Sequence, residues 1–394
     1  MIIWLVYLIP IVTVLFLIFA YRSEVTWWEY LVILVVPVGV ILGVSELSKS
    51  SRIRAHEFYG GVVTNATYTE PWNEWIEETC SRCEATDSKG NCTSTETYDC
   101  SHCDEHGDSY SYSTTIDGSL FDGDVVWNNA SALWGRKFVP LDRNSLCPFP
   151  RNGNAWRATW AGDSAHLLPY FSIHTYENRI QAAPTLFSFP KVNPLKTKVF
   201  NYPTEHGVEN TSILADHPVP GQSKAQDLLS YYNGKYGEAR EVHAYLLLFH
   251  DPDPQRGRDQ EAYWIGGGKN ELVTTVGLDK ANQVQWIYVF SWSPDKTAEV
   301  SLRDSLLQMH NFNAVHAVEL IGQVGVKHFV RKHFRDFKYI QIQPSQTAIM
   351  IAAFSVLAFC IGFGIWVVRN DYDNIVSSTR GRLRERYPYR AQGF

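Results

Sequence analysis

The stretch that decides how this chain is built opens at Cys80-Ser-Arg-Cys83 and closes, sixteen residues on, with Cys100-Ser-His-Cys103. Two C-x-x-C pairs at that separation match the spacing of a four-thiolate zinc site. Zinc takes soft ligands in a tetrahedron, and two turns that each present a pair supply that geometry. The candidate metal ligands are therefore Cys80, Cys83, Cys100 and Cys103, with His102 and His106 as substitutes. Glu77, Glu78, Glu84, Asp87, Asp99, Asp104 and Glu105 surround them. Such acids attract a cation but disfavour thiolates, and neither pair has the glycine that many zinc turns place after the second cysteine. The alternative is disulfides. Cys92 and Cys147 complete an even set, which suits an exported domain. The spacing leaves zinc and disulfides both open. Thiol-redox catalysis is disfavoured, because it needs a C-x-x-C at a helix N-terminus after a buried strand.

Around these cysteines, residues 76–113 are polar and acidic, with almost no aliphatic side chains. A segment of that composition buries no core of its own and needs a cross-link, a metal or outside support. Before it, Phe58 to Trp75 reads as extended, through Val62-Val63-Thr64 and Thr67-Tyr68-Thr69. After it, residues 117–215 give short apolar runs such as Asp124-Val-Val-Trp127, punctuated by prolines, which imply short strands and long loops. A more regular part follows. Ser223-Lys-Ala-Gln226 reads as a capping box, with a helix running to Tyr232 and stopping at Asn233-Gly234. Val242–His250 and Gln283–Trp292 read as strands, and Tyr263 to Val276 as two strands joined at Gly266-Gly-Gly268. Ser301-Leu-Arg-Asp304 opens a further helix, with Leu302, Leu306, Met309 and Phe312 at helical spacing and breaks at Gly322 and Gly325. The fold class is α+β, a β-rich domain carrying a Cys-rich insertion.

Three apolar runs bracket this domain. Ile2–Ala20 lacks a charge and a signal peptide's basic start, so it reads as a retained anchor. Trp27–Val44 follows, with Trp27 and Trp28 as an interfacial belt beside which Glu29 stays hydrated. Ala348–Val368 is the third. The organisation is two transmembrane helices in 1–47, a polar domain in 48–343, a third helix in 344–369 and a basic tail in 370–394. The spans raise the apolar fraction to 45% against 19% charged, so overall composition says little about the domain.

Charge does not choose a side for the domain. Arg369, Arg380, Arg382, Arg384, Arg386 and Arg390 mark the tail as cytoplasmic and push the domain outside. Against this, Lys49, Arg52 and Arg54 follow the second run, and the mixed basic and aromatic stretch Lys327–Lys338 precedes the third. That stretch suits either an anionic lipid surface or a face packed on the domain. Four N-x-S/T sequons, at Asn65, Asn91, Asn129 and Asn210, matter only in a eukaryotic secretory compartment.

No G-x-S-x-G, H-E-x-x-H, Walker A or dinucleotide fingerprint is present. Gly266-Gly-Gly-Lys269 lacks the upstream glycine and following Ser/Thr of a phosphate loop. Asp117, Asp122 and Asp124 do not have EF-hand spacing and read as turn residues. Trp72 and Trp75 read as packing on the cysteine segment. A net charge of −6 with no basic-aromatic groove excludes nucleic acid as a partner of the domain. The run Glu70-Pro-Trp-Asn-Glu-Trp-Ile-Glu-Glu-Thr-Cys80, with Thr95-Glu-Thr-Tyr-Asp-Cys100, resembles uncharacterised membrane-anchored proteins of large tailed phages and some bacteria. The resemblance implies an origin and no mechanism; phage–host interaction is the setting expected for the domain as a binding module.

The expectation is an integral membrane protein presenting a non-catalytic binding or structural domain, stapled by zinc or disulfides. Its expected partners are the bilayer and a protein reached through the domain, and no small-molecule substrate is identified. The alternative is a membrane-tethered enzyme, a hydrolase or thiol-redox catalyst, with a site assembled from distant residues.

Overall fold

The structure, a computed structural model, describes residues 2–21, 25, 27–116, 122–141, 147–151, 153–187 and 189–369. The tail arginines beyond Arg369, and Asp117, lie outside the described residues. The chain divides into two compact units, Met1–Arg54 with Glu177–Ala183 and Phe337–Phe394, and Ala55–Tyr176 with Pro184–Asp336.

The first unit is a helical bundle. Its N-terminal run forms α1 (Ile2–Val6) and α2 (Leu8–Tyr21), and α3 (Trp27–Ile53) follows. Among the described residues, two helices are long and apolar enough to cross a bilayer, α3 and the helix Gln346–Arg369. The expected first span is divided, and α2 alone has 14 residues, fewer than a crossing needs. Val14, Leu17, Ile33, Ile41, Val356 and Cys360 form the bundle core. The opposite faces stay apolar as well, with Val35 58% and Phe354 71% exposed, a pattern that lipid accepts and water does not. Glu29 departs from expectation: its side chain is buried in the bundle instead of standing hydrated at an interface.

The second unit begins with β1 (Arg54–Thr69), a strand of 16 residues. Next come β2 (Trp72–Ile76), β3 (Thr79–Thr86), β4 (Cys92–Asp99), β5 (His102–His106) and β6 (Ser109–Thr114). β3 and β4 form a hairpin around an Asp87–Asn91 turn, where Asp87 Oδ1 accepts from the amides of Lys89 and Asn91. β2 pairs with β5. β4 is exposed along its length, so the ribbon has no core of its own, as its composition requires. β1 also pairs antiparallel with β6 and with β8 (Ala155–Thr159), β9 (Pro169–Glu177) pairs with β1 as well, and β7 (Lys137–Val139) extends the sheet beyond β8. The run read as a short strand at Asp124–Trp127 is instead helical, in α4 (Gly123–Trp134). Val126, Trp127 and Ala130 fall on one helical face and close the core over Val63, Ala66 and Ala158.

Beyond the short helices α5 (Arg179–Ala182) and α6 (Pro194–Thr197), the chain turns into an open sheet. Its order is β10 (Ile213–Ala215), β11 (His243–Phe249), β12 (Glu271–Leu278) and β13 (Val284–Ser291). The first three strands are parallel and the last is antiparallel. Every residue of β11 and β12 is buried, as expected for strands covered on both faces. One face packs on α7 (Gln222–Arg240), α9 (Thr297–Leu307) and α10 (Ala314–Leu320), through Leu229, Leu246, Leu272, Leu302 and Val318. The other, with Tyr245, Phe249, Trp264 and Phe290, carries α8 (Gln255–Tyr263). The last helix of the chain is α11 (Gln346–Arg369). The architecture is thus mixed helix and sheet, and this half of the domain is more helical than the β-predominant reading.

Three boundaries differ from the sequence reading. α7 runs through Asn233-Gly234, because Asn233 is buried and bonds both the amide and the carbonyl of Ala244, at 2.8 and 3.0 Å. The bareness of Gly234 and Gly237 admits the backbone of Gly60 and Gly61 against the helix. Ser223 and Ser301 are not caps; they lie inside helices that begin after Gly221 and Lys296. Tyr263-Trp-Ile265 ends α8 and is not a strand, and Gly266 and Gly267, at φ +80 and +82°, turn the chain into β12.

Candidate ligand pocket and the disulfide ribbon

The four expected zinc ligands all lie in the ribbon, but their sulfurs are paired otherwise. Cys80 bonds Cys100, Cys83 bonds Cys92, and Cys103 bonds Cys147. A disulfide sulfur carries no thiolate charge, so these cysteines offer a metal nothing, and the disulfide alternative is the one the structure carries. Cys83–Cys92 joins β3 to β4, Cys80–Cys100 joins β3 to the residue after β4, and Cys103–Cys147 ties β5 to a buried residue far along the chain. This is the staple that the polar segment lacks in apolar side chains. Cys360 is the one free cysteine among the described residues, buried in the bundle.

Other singled-out residues take structural places. Trp72 stacks on His106 with centroids 4.0 Å apart, so it packs on the cysteine segment as expected. Lys269 of the triple-glycine turn pairs with Glu57 at 2.9 Å and lies over the Tyr176 ring. Arg331, from the basic juxtamembrane stretch, is held by both Glu57 oxygens, at 3.0 and 2.9 Å, and by Glu241 at 2.7 Å. That residue is committed to the domain and not to lipid. Asp122 precedes α4 and faces His206 Nδ1 at 3.1 Å.

A cleft of the domain lies elsewhere, over α8. Gln255, Arg258 and Glu261 recur every third residue and so share one helical stripe, with Ala262 at its edge toward the sheet. Gly257 on the inner side lets the helix lie close on the sheet: a Cβ there would meet the Tyr288 Cβ at 2.7 Å. Facing the stripe are Tyr288 of β13, Trp292 just beyond it, and Phe187, Phe189 and Pro190 from the segment after α5. Together these enclose about 580 Å³, within the size range of small-ligand sites.

The aromatic wall is fixed. Trp292 donates its indole N–H to Gly267 O at 3.1 Å and meets Phe187 and Phe334 edge-on, with centroids 5.5 and 5.8 Å away. Phe189 adds a further edge contact at 6.2 Å. The Tyr288 hydroxyl donates to Glu261 Oε2 at 2.5 Å. Burial pushes the Glu261 carboxyl above its ordinary value, and the Tyr288 bond and the charges of Lys296 and Arg258 only partly offset it. Burial, then the Glu261 bond, push the Tyr288 phenol well up, so it stays a donor. Sequence reading placed Tyr288 and Trp292 in core strands and missed the site. Its polar half sits on a helix with almost no apolar signal, and its aromatic half comes from two distant segments. No family model, curated protein or solved structure matches this chain.

Proposed function

We propose that the chain is an integral membrane protein that displays its domain on the oxidising side of the membrane as a binding module for a saccharide. The observation that carries this reading is the make-up of the α8 pocket. Arg258 disfavours an organic cation among the aromatic rings, and Glu261 disfavours an anion. What remains is a neutral ligand with donors, acceptors and an apolar face. A sugar ring has all three: its C–H face stacks on Trp292 or Phe187, and its hydroxyls bond Glu261, Arg258 and Gln255. In the phage setting implied by the sequence resemblance, the ligand is a saccharide of the host envelope.

The topology fits that role. Three disulfides persist only in an oxidising compartment. α3 and α11 flank the domain, so the basic tail emerges on the opposite, cytoplasmic face. We read the run Ile2–Tyr21 as a third crossing in which α1 and α2 lie end to end, since twenty residues at about 1.5 Å each reach about 30 Å despite the division at Tyr7.

The test is saturation-transfer NMR of the full-length protein in lipid nanodiscs against a panel of mono- and disaccharides. A hit should show its strongest transfer at ring C–H protons and should disappear in Trp292→Ala. If no sugar binds at millimolar concentration, or if Trp292→Ala and Glu261→Gln bind as wild type does, the saccharide reading fails.

A further inference from the structure

Asp216, His217 and His250 meet at the carboxyl ends of two adjacent parallel strands. Asp216 follows β10 directly and His250 follows β11 directly, so strand pairing alone brings their side chains together. In open α/β sheets this edge is where ligands bind. Asp216 Oδ1 lies 2.8 Å from His250 Nδ1 and 3.2 Å from His217 Nδ1. The three ligand atoms all fall within 4.8 Å of one another. Donors each about 2.0–2.1 Å from a tetrahedral zinc stand about 3.3 Å apart, so the two distances from Asp216 to the histidines need change by no more than roughly half an ångström.

The surrounding shell is independent of that spacing. His250 Nε2 faces Asn282 Oδ1 at 3.1 Å. With the ring proton on Nε2, bonded to Asn282, Nδ1 is the nitrogen that takes a metal beside Asp216. Donation of the other ring N–H to a fixed oxygen is also how proteins orient a metal-binding histidine. Asn282 itself is fixed, at φ 57° in the turn between β12 and β13, where Asp279 accepts from its amide and Phe312 donates to its carbonyl. Both carboxylate oxygens of Asp216 accept from the His250 backbone amide, at 3.0 Å. The third ligand is the loose one: the His217 side chain is 70% exposed against 15% for His250.

From this geometry we propose that Asp216, His217 and His250 form a two-histidine, one-carboxylate site for a divalent transition metal, with zinc the expected ion. The donor set is the borderline nitrogen–oxygen kind that zinc accepts, and the exposed side leaves a fourth position for water. A zinc held in this way acidifies its bound water, which is the chemistry that a hydrolytic role of the chain would use. The site stands apart from the pocket over α8 and does not rest on the saccharide reading.

The experiment uses the full-length, metal-stripped protein without a histidine tag, titrated with Zn²⁺ by calorimetry and with Co²⁺ by visible absorption. One ion per chain should bind, with the intense visible bands of tetrahedral Co²⁺. His250→Ala should abolish the signal, and Asn282→Ala should weaken binding by about tenfold or more, the usual effect of losing an orienting partner. His217→Ala decides the matter if the His250 variant misfolds, because its exposed ring can be removed without opening a core; it should weaken binding at least as much. Absence of stoichiometric binding would mean that a proton holds the Asp216–His250 contact, and the proposal falls. It falls equally if binding survives His217→Ala and His250→Ala, with the ion then held elsewhere, for example by His102 or His106 in the ribbon.

Discussion

Replacing Glu271 by glutamine isolates the most consequential ionisation in the domain. Glu271 opens β12 opposite His243 of β11 and is 1% exposed. Its Oε2 accepts from the Gly268 amide at 2.7 Å and from the Tyr202 hydroxyl at 3.0 Å. Nearby, and likewise buried, His243 Nε2 meets Glu205 Oε2 at 2.8 Å, Ser212 donates to Glu205 Oε1 at 3.2 Å, and Asn233 donates to Ser212 Oγ at 3.1 Å. Burial pushes the Glu271 carboxyl from 4.5 up to about 7, more than the Gly268 bond, the His243 charge and the Tyr202 bond pull it down. Tyr202 and Tyr245, also pushed up by burial, stay neutral throughout this range.

A raised carboxyl means that the folded state holds a proton the unfolded chain has released. Stability therefore falls as pH rises from 4.5 through about 7, the reverse of a salt-bridged aspartate. A shift of this size corresponds to about 3.4 kcal/mol, of which about 2.5 kcal/mol is lost between roughly pH 5 and pH 8. Glutamine offers one oxygen to both donors and does not titrate. Glu271→Gln should remove that slope, leaving the variant the more stable protein on the alkaline side. The assay is pulse proteolysis of the full-length protein in urea, with disulfides intact, at about pH 5 and about pH 8. If wild type and variant change stability in parallel, within about 0.5 kcal/mol, the buried-carboxyl reasoning is wrong.

Two further outcomes follow from packing and covalent structure. Gly237→Ala places a Cβ 2.5 Å from Gly60 O and 2.7 Å from its Cα, both backbone atoms, so α7 must move off β1; a loss of about 2–3 kcal/mol is expected in the same proteolysis assay, and an unchanged midpoint would refute the close approach. Alkylation of the denatured, unreduced protein should label one thiol, Cys360, and prior reduction should raise the count to all seven cysteines; additional labels before reduction would contradict the disulfide pairing.

Much of this molecule is a matter of local pattern and was legible without a structure. The apolar runs of α3 and α11, the strands at 243–249 and 284–291, and the need of residues 76–113 for a staple follow from side chains near in sequence. Hydropathy and strand propensity act over a few residues, so they survive any arrangement of the rest. α8 was not legible in this way. The face it turns to the sheet carries Gly257, Gln260 and Ala262, small or polar residues that give no apolar stripe. The pairing of the cysteines, the meeting of Phe187 and Trp292 over Glu261, and the approach of Asp216 to His250 were beyond reach for a different reason. Each joins residues from 9 to 105 positions apart, and which distant residues meet is set by strand order and helix packing. Composition fixed what this chain had to solve, an apolar bundle and a polar ribbon without a core; only the folded sheet decided which side chains share a site.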